Sequence, residues 1–437
     1  MLSLAFLLLS TLLGAVSAFP KGLRLRSESD AVPVPPKQDP WYTAPAGWEA
    51  TAPGDVLRVR SAQGYLGSSI DNVGSAYNIL YRTTGSRYQA SWAVTTLLVP
   101  KMPASTYKAL LSYQVPYDSA DLDAGPSYTL SSLIRNGHTP TNCISEIEES
   151  LRIGWHVTVP DYEGNLASFI AGVMSGHATL DAVRASLSSD LGLPGLSGAR
   201  LGMWGYSGGA LGSEWAAELQ TQYAPELNFS GVAIGGLTPD VFNVFNTVTK
   251  TYSAGLIPPG VVGLCSQFPD VEDYLFAKLK TTGKQNAAKF LSVRNLTLSQ
   301  GAPKFAFENI YDYFTGGIAD FLDPKVMAVI DSDGKMGYHG IPQMPLFVYK
   351  AIQDEISPIG DTDALVQKYC TADATIEYQR NTLGTHKDEQ DNQSAQAFAF
   401  LSKALSGTYT PPTSGCSVKN VTIGDPGDLG LSTRTQS

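Results

Sequence analysis

The stretch from residue 201 to 219, LGMWGYSGGALGSEWAAEL, restricts the fold of this chain more than any other part of the sequence. An apolar run typical of a buried strand leads into glycines around Ser207, and apolar residues at helical spacing follow. Glycine costs backbone entropy, so glycines clustered at such a junction indicate a turn that is too tight for side chains. These patterns predict a strand–turn–helix unit with Ser207 at the turn.

Segments with strand character alternate with helical segments along most of the chain. Strand patterns occur at 90–100, 109–116, 153–164, 230–237, 344–355 and 375–381, and apolar residues at helical spacing occur at 167–192. This alternation predicts an α/β fold with a mostly parallel sheet and helices on both of its faces. Residues 237–330 are mainly helical in pattern, so we expect an insertion above the sheet, whereas the tail after about 407 is loop-like.

The N-terminus has the composition of a secretion signal. Residues 1–18, MLSLAFLLLSTLLGAVSA, form an apolar run that ends in small residues and is shorter than the ~20 residues that a membrane span needs. We expect a signal peptide at 1–18, an extended arm or propeptide at 19–45, and a core made of 46–236 and 331–437. The chain is therefore predicted to be secreted, with no transmembrane segment.

The cysteines and the glycosylation sequons agree with an extracellular location. Four cysteines without a close pair favour disulfides over zinc ligation, and they allow three connectivities. We favour Cys370–Cys416 together with Cys143–Cys265. The candidate glycosylation sites are the four N-x-S/T sequons at Asn228, Asn295, Asn392 and Asn420.

The charge and the motif content narrow the range of partners. The formal net charge is −10 and no Lys/Arg cluster occurs, which disfavours nucleic acid as a partner. The sequence has no H-E-x-x-H, P-loop or G-x-G-x-x-G motif, so we expect neither a metal nor an organic cofactor. The sequence leaves the oligomeric state open.

Ser207 is the centre of the only G-x-S-x-G in the sequence, and its place between strand and helix is typical of a nucleophile elbow. The alternative is a glycine-rich turn with an incidental serine. Ser197 precedes the strand and is interpreted as a loop residue. A nucleophilic serine needs a histidine base and an acid that orients it, and in α/β-hydrolases the order is serine, acid, histidine.

Five histidines make the search for the base short. His339 follows Ser207 but precedes the best candidate acid, which leaves His386, in a loop after the strand at 375–381. His156, inside an apolar strand, is interpreted as a core residue with satisfied hydrogen bonds. The histidines excluded because they precede the serine are His138, His156 and His177.

The acid is expected in the loop after the strand that begins at 344. Asp354 is the favoured residue, with Glu355 as its rival, whereas Asp361 and Asp363 are interpreted as helix-start residues.

An oxyanion formed at the serine would need two hydrogen-bond donors. The first is the backbone N–H of Gly208, and the second is expected from the loop within 112–128. That loop holds three acids, Asp118, Asp121 and Asp123, and the alternative is that they belong to a solvated polar loop.

Several motifs together resemble the fungal secretory lipases of the Candida antarctica lipase A type, over about residues 40 to 420. They are SYQVPYDSADLDAGPSY, PDYEGNLASFIAG, GYSGGALGSEWAAELQTQYAPELN, AGLIPPGVVGL, FPDVEDYL, DEISP and GTHKDE. The resemblance implies an α/β-hydrolase core with a helical lid at 237–330. It also implies a triad of Ser207, Asp354 and His386, with Asp118 joining the Gly208 amide at the oxyanion.

These observations predict a secreted serine lipase or esterase that hydrolyses triacylglycerols or other acyl esters through an acyl-enzyme. The apolar lid segments 254–264 and 311–322 would line an acyl tunnel and contact a lipid–water interface, or merely pack on the core. An esterase that deacetylates a fungal metabolite such as a trichothecene is the first alternative. A serine peptidase or amidase and a non-catalytic binding protein are the others.

Overall fold

A computed structural model of the 437-residue chain describes residues 31–131, 139–196, 198–413 and 415–424. The expected signal peptide, the first part of the arm, His138 and Ser197 lie outside these residues. Within the described ranges, ten strands form one sheet: β1 (Val56–Ser61), β2 (Val73–Thr84), β3 (Ala90–Pro100), β4 (Lys108–Gln114), β5 (His156–Pro160), β6 (Ala199–Tyr206), β7 (Phe229–Gly235), β8 (Leu346–Ala351), β9 (Ile376–Asn381) and β10 (Cys416–Val421).

The sheet has the order β1-β2-β3-β5-β4-β6-β7-β8-β9-β10. The pairs β1/β2, β2/β3 and β3/β5 are antiparallel, and the remaining six pairs are parallel. The expected mostly parallel α/β sheet is therefore confirmed. The expectation of a loop-like tail is wrong at residues 416–421, because β10 pairs with β9 along its whole length and extends the sheet.

The described residues contain thirteen α-helices. They are α1 (Leu66–Ser69), α2 (Pro126–Thr129), α3 (Thr141–Arg152), α4 (Gly172–Ser188), α5 (Gly208–Tyr223), α6 (Val241–Val248), α7 (Ile257–Ser266), α8 (Pro269–Ala277), α9 (Ala287–Leu291), α10 (Leu298–Phe305), α11 (Pro324–Asp333), α12 (Ile359–Thr371) and α13 (His386–Ser406).

The central strands are apolar on both faces, and each face has its own hydrophobic core. Met203 of β6 and Val348 of β8 belong to the core that includes α4, α5 and the helices between β7 and β8. Trp204 and Tyr349, each the next residue along its strand, belong to the core that includes α3 and α13. Side chains alternate in direction along a strand, so the sheet separates the two cores.

The separation of the two cores by the sheet decides which cysteines can pair. Cys370 of α12 and Cys416 of β10 form a disulfide, as expected. The expected Cys143–Cys265 bond is wrong, because both residues are free thiols. Cys143 lies in the core with α3 and α13, whereas Cys265 lies in the core on the opposite face of the sheet.

The helices α6 to α11 occupy the connection between β7 and β8 and pack closely on the rest of the molecule. At Gly263 of α7, a Cβ atom would stand 2.3 Å from the backbone nitrogen of Phe169, so the two backbones are in direct contact. The helical character expected for this block matches these elements, and the last of its helices, α11, ends at Asp333.

The described part of the N-terminal arm is tied to the body by polar contacts. The Lys37 ammonium lies 2.7 Å from an Asp121 carboxylate oxygen and donates to the Asn295 side-chain oxygen at 2.9 Å. The Trp92 indole N–H donates to the carbonyl of Tyr42 at 2.9 Å. These bonds join the arm to β3, to the loop after β4 and to the helical block between β7 and β8.

Candidate active site

Ser207 lies at a sharp turn between β6 and α5, as the glycine pattern predicted. Its φ of 54° and ψ of −122° lie outside the regions that an ordinary residue adopts, which is typical of a nucleophile elbow. A Cβ atom at Gly205 would stand 2.2 Å from the carbonyl oxygen of Gly209, and one at Gly209 would stand 2.0 Å from that of Gln114. The glycines are therefore required by the close approach of the backbone around the serine.

The structure brings Ser207, His386 and Asp354 together from three separate elements. The Ser207 hydroxyl lies 2.8 Å from His386 Nε2, and Nδ1 of the same ring lies 2.7 Å from Asp354 Oδ2. An Nδ1 that donates to the carboxylate leaves Nε2 free to accept the serine proton. This is a continuous hydrogen-bonded chain from carboxylate to hydroxyl.

His386 is the first residue of α13, whereas the sequence placed it in a loop before that helix. The Tyr206 hydroxyl donates to the His386 carbonyl, and a Glu355 carboxylate oxygen accepts the His386 backbone N–H at 2.8 Å. A carboxylate at this position satisfies a free backbone donor of the helix N-terminus. Glu355, the rival acid, therefore holds the start of the helix rather than the imidazole.

Asp354 lies three residues after β8 in a tight turn, and both of its oxygens are bonded. Oδ1 accepts the backbone N–H groups of Ile356 and Ser357, each at 2.9 Å, and Oδ2 lies 3.0 Å from the Lys350 ammonium. Burial raises the pKa of Asp354, but the stronger combined effect of His386, Lys350 and the backbone donors lowers it well below its usual range. Asp354 is therefore an anion at neutral pH.

Asp118 lies beside the elbow, in the loop after β4. Its φ is 44°, its side chain is buried, and its Oδ1 has no hydrogen-bond partner among the described residues. A Cβ atom at position 208 would stand only 1.9 Å from that oxygen, so Gly208 leaves the space that Asp118 fills. Burial raises the pKa of Asp118 to about 7, against a smaller lowering effect of His386. At acidic pH, Asp118 is a neutral hydrogen-bond donor.

The other two acids of this loop have different partners. The Asp121 carboxylate pairs with the Lys37 ammonium and accepts the backbone N–H of Asp123. The Asp123 carboxylate accepts the backbone N–H of Lys37 at 2.9 Å. Both residues therefore fasten the loop to the N-terminal arm, and Asp118 alone faces Gly208.

The remaining described histidines have other surroundings. The His177 Nδ1 lies 3.2 Å from the carbonyl of Thr84, and His339 lies beside Glu218. His156 is buried as expected, but neither of its ring nitrogens has a hydrogen-bond partner within the part of the chain that the structure describes, so the expectation that they are satisfied is wrong there. Burial and, secondarily, the charge of Lys108 lower the pKa of His156 to about 4, which keeps its ring neutral.

Two side chains that hold the site were not predicted from the sequence. They are Lys350, which contacts Asp354, and Tyr206, which contacts His386. A lysine inside the apolar run MPLFVYKAI was a signal that could have been used, because a charged residue in a buried strand needs a partner. Tyr206 gave no such signal.

Comparisons with known proteins find relatives among lipases and esterases. The family model described as secretory lipase matches residues 139–414. The trichothecene C-3 esterase of Fusarium sporotrichioides is 45% identical over 401 residues, which cover 89% of this chain and 88% of that protein. Lipase A of Arthroderma benhamiae is 36% identical over 420 residues, which cover 92% of this chain and 87% of that protein.

The solved structures give the same result at the level of the fold. The closed state of Candida antarctica lipase A has a TM-score of 0.81 to this chain at 28% identity, covering 92% of this chain and 94% of that one. Across the residues that the structure describes, no helix is both long and apolar enough to cross a bilayer. The chain belongs to the secretory lipase family, and it is a carboxylic ester hydrolase with an α/β-hydrolase fold.

Proposed function

We propose that the chain hydrolyses carboxylic esters through a triad in which Ser207 is the nucleophile, His386 the base and Asp354 the acid that orients it. The observation that carries this proposal is the hydrogen-bonded chain through the imidazole, with distances of 2.8 Å and 2.7 Å on its two sides. Each of the three residues lies just beyond the carboxyl end of a parallel strand, which is where α/β sheets place their sites.

The reaction has two halves. His386 takes the proton of Ser207 as its oxygen attacks the ester carbonyl, and it then gives that proton to the departing alcohol. Water enters against the acyl-enzyme, His386 takes a proton from it, and the acid is released as Ser207 recovers its hydrogen. Asp354 stays ionised throughout and stabilises the imidazolium that forms in both halves.

The negative charge that develops on the carbonyl oxygen is stabilised by the Gly208 backbone N–H and by the protonated carboxyl of Asp118. The first position of α5 contributes the positive end of the helix dipole as well. The empty hydrogen-bonding capacity of Asp118 Oδ1 and its contact with Gly208 support this assignment. An ionised Asp118 would instead repel the oxyanion.

The domain organisation and the location follow from the same proposal. Residues 1–18 are a signal peptide, the arm stays on the mature protein, and the helices of 237–330 form a lid that contacts a lipid–water interface. The names of the family and of the relatives support an extracellular location.

Asn228, Asn295 and Asn420 are exposed and carry glycans, whereas Asn392 lies half-buried within α13 and does not.

Two classes of ester are candidate substrates. Triacylglycerols and other long acyl esters are the first, supported by the lipase relatives and by the structural neighbour. Acetyl esters of trichothecene-like metabolites are the second, because the Fusarium relative at 45% identity is named a trichothecene C-3 esterase.

A chain-length series separates these classes and tests the triad together. The enzyme is assayed on p-nitrophenyl acetate, butyrate and palmitate, on emulsified triglyceride and on an acetylated trichothecene. We expect Ser207→Ala to abolish all of these activities, and Ser145→Ala, an exposed serine on α3, to change none of them. Full activity of Ser207→Ala would overturn the proposal, and cleavage of peptides alone would favour a peptidase.

A further inference from the structure

Lys350 is a fully buried charged residue next to the acid of the proposed triad. It is the fifth of the six residues of β8, and both its side chain and that of Asp354 are inaccessible to solvent. Its ammonium lies 3.0 Å from Asp354 Oδ2 and donates to the carbonyl of Leu237 at 2.6 Å. Leu237 follows the end of β7 by two residues, so Lys350 links the acid turn to the start of the helical block.

A buried lysine is costly, and its partner must compensate for the loss of solvation. Burial lowers the pKa of Lys350, whereas the Asp354 carboxylate opposes that effect. With Asp354 ionised, the two groups form a salt bridge in the interior. A neutral residue of the same volume would fill this space at a lower desolvation cost, so packing alone does not explain a lysine here.

The contact is made with the same oxygen that His386 uses. Asp354 Oδ1 is occupied by two backbone N–H groups, and Oδ2 is shared by the His386 Nδ1 at 2.7 Å and the Lys350 ammonium at 3.0 Å. The ammonium therefore both fixes the direction of the carboxylate and offsets its negative charge at the imidazole. A nearby positive charge disfavours a second one on the ring.

We propose that Lys350 is a positioning residue of the proposed triad, which aims Asp354 Oδ2 at His386 and offsets the charge of the carboxylate that the imidazole faces. The inference rests on the proposed function. Without the ammonium, the carboxylate would attract a proton to the ring more strongly, and activity would begin at a higher pH.

Other charged or titratable groups face Lys350, Asp354 and His386 from β6, from the loop after β4, from the turn after β8 and from α12 and α13. They are Tyr206, Asp118, Glu355, Asp361, Asp363 and Glu389. Burial raises the pKa of Glu389 to about 7, so this residue can also contribute to the pH dependence of activity. Glu389→Gln, made both in the native chain and in Lys350→Met, separates the contribution of Glu389 to the pH dependence from that of Lys350.

The test is the pH dependence of kcat/KM on p-nitrophenyl butyrate for the full chain. We expect Lys350→Met to raise the pH of half-maximal activity on the acid side by about one unit, with kcat lowered and KM unchanged. Lys350→Arg, which keeps the charge, is expected to restore the original midpoint. An acid-side midpoint that is the same in Lys350→Met and in the native chain would overturn the proposal.

One further variant and one further measurement make the test independent of the folding of Lys350→Met. Lys350→Gln has no charge but can still donate to the Leu237 carbonyl, so it is the variant to use if Lys350→Met does not fold. The NMR resonance of the proton between Asp354 and His386 follows protonation of the resting enzyme without turnover, and its midpoint should rise in both variants. If Ser207→Ala is inactive but these midpoints are unchanged, the Lys350 proposal fails and the triad stands.

Discussion

Replacing Asp118 by Asn tests the proposed oxyanion site most directly, because it preserves shape and removes the ionisable group. Asn tolerates the positive φ of 44° at this position, and its amide donates a hydrogen bond at every pH. In the native chain, by contrast, the donor exists only while the carboxyl holds its proton. The two proteins are therefore expected to agree at acidic pH and to diverge above neutrality.

The size of the effect on the free energy of unfolding follows from the shift in the pKa of Asp118. Burial raises the pKa of Asp118 from 3.8 to about 7, so the folded state binds a proton more tightly than the unfolded state does. Stability is therefore lost as the pH rises from about 4 to about 7, and the full loss is on the order of 4 kcal/mol. Asp118→Asn avoids this loss, so it should be the more stable protein at pH 8 and equal to the native chain near pH 3.5.

The size of the effect on kcat follows from the loss of one oxyanion donor, which typically costs ~10²–10³ in rate. Because the protonated fraction of Asp118 falls about tenfold per pH unit above its pKa, we expect kcat of the native chain on p-nitrophenyl butyrate to decline about tenfold per unit above pH 7, to about 10²-fold at pH 9. Asp118→Asn should lack that alkaline decline. Asp118→Ala is the control, because it has no donor at any pH and should be slow throughout.

Two measurements decide the outcome: kcat from pH 4 to pH 9, and urea unfolding at the two ends of that range. An alkaline decline of the same size and midpoint in Asp118→Asn would show that another group titrates. A stability difference between the two proteins that does not vary with pH would show that the buried carboxyl is not the cause.

Two other predictions concern the parts that hold the sheet and the arm in place. The Cys370–Cys416 disulfide closes a loop of 46 residues, and the double variant Cys370→Ser/Cys416→Ser should lose about 4 kcal/mol of unfolding free energy in urea; an unchanged midpoint would contradict this. Lys37→Ala, which breaks the partly exposed pair with Asp121, should lose about 1 kcal/mol in thermal unfolding, while Lys101→Ala, at an exposed lysine, should lose none. Equal losses in the two lysine variants would show that the arm contact contributes nothing specific.

Much of the site could be predicted from the sequence because its signals are local. The turn at Ser207 needs glycines within two residues of it, and each of them is visible in the sequence. His386 follows a predicted strand and Asp354 lies at the end of another, and the carboxyl ends of parallel strands meet at one edge of the sheet. Order along the chain and strand position were therefore enough to bring three distant residues together.

The assignments that failed depend on which face of the sheet a residue occupies. Cys143 and Cys265 are the two cysteines left once Cys370 and Cys416 pair, yet the strands lie between them. The tail at 416–421 has no strong strand pattern, and it becomes β10 because β9 offers an unpaired edge and the disulfide brings Cys416 to it. Such tertiary effects override local propensity.

The electrostatics of the site could be predicted least, because they depend on burial. Asp118, Asp121 and Asp123 look equivalent in the sequence, and they differ only because Lys37 reaches two of them from a segment more than eighty residues away. Asp118 has no lysine or arginine partner among the described residues, and burial then raises its pKa. The opposite holds at Asp354, where Lys350 supplies a cation in an equally buried place. One carboxyl can therefore be kept neutral and the other ionised at the same pH, and the distribution of two lysines decides which is which.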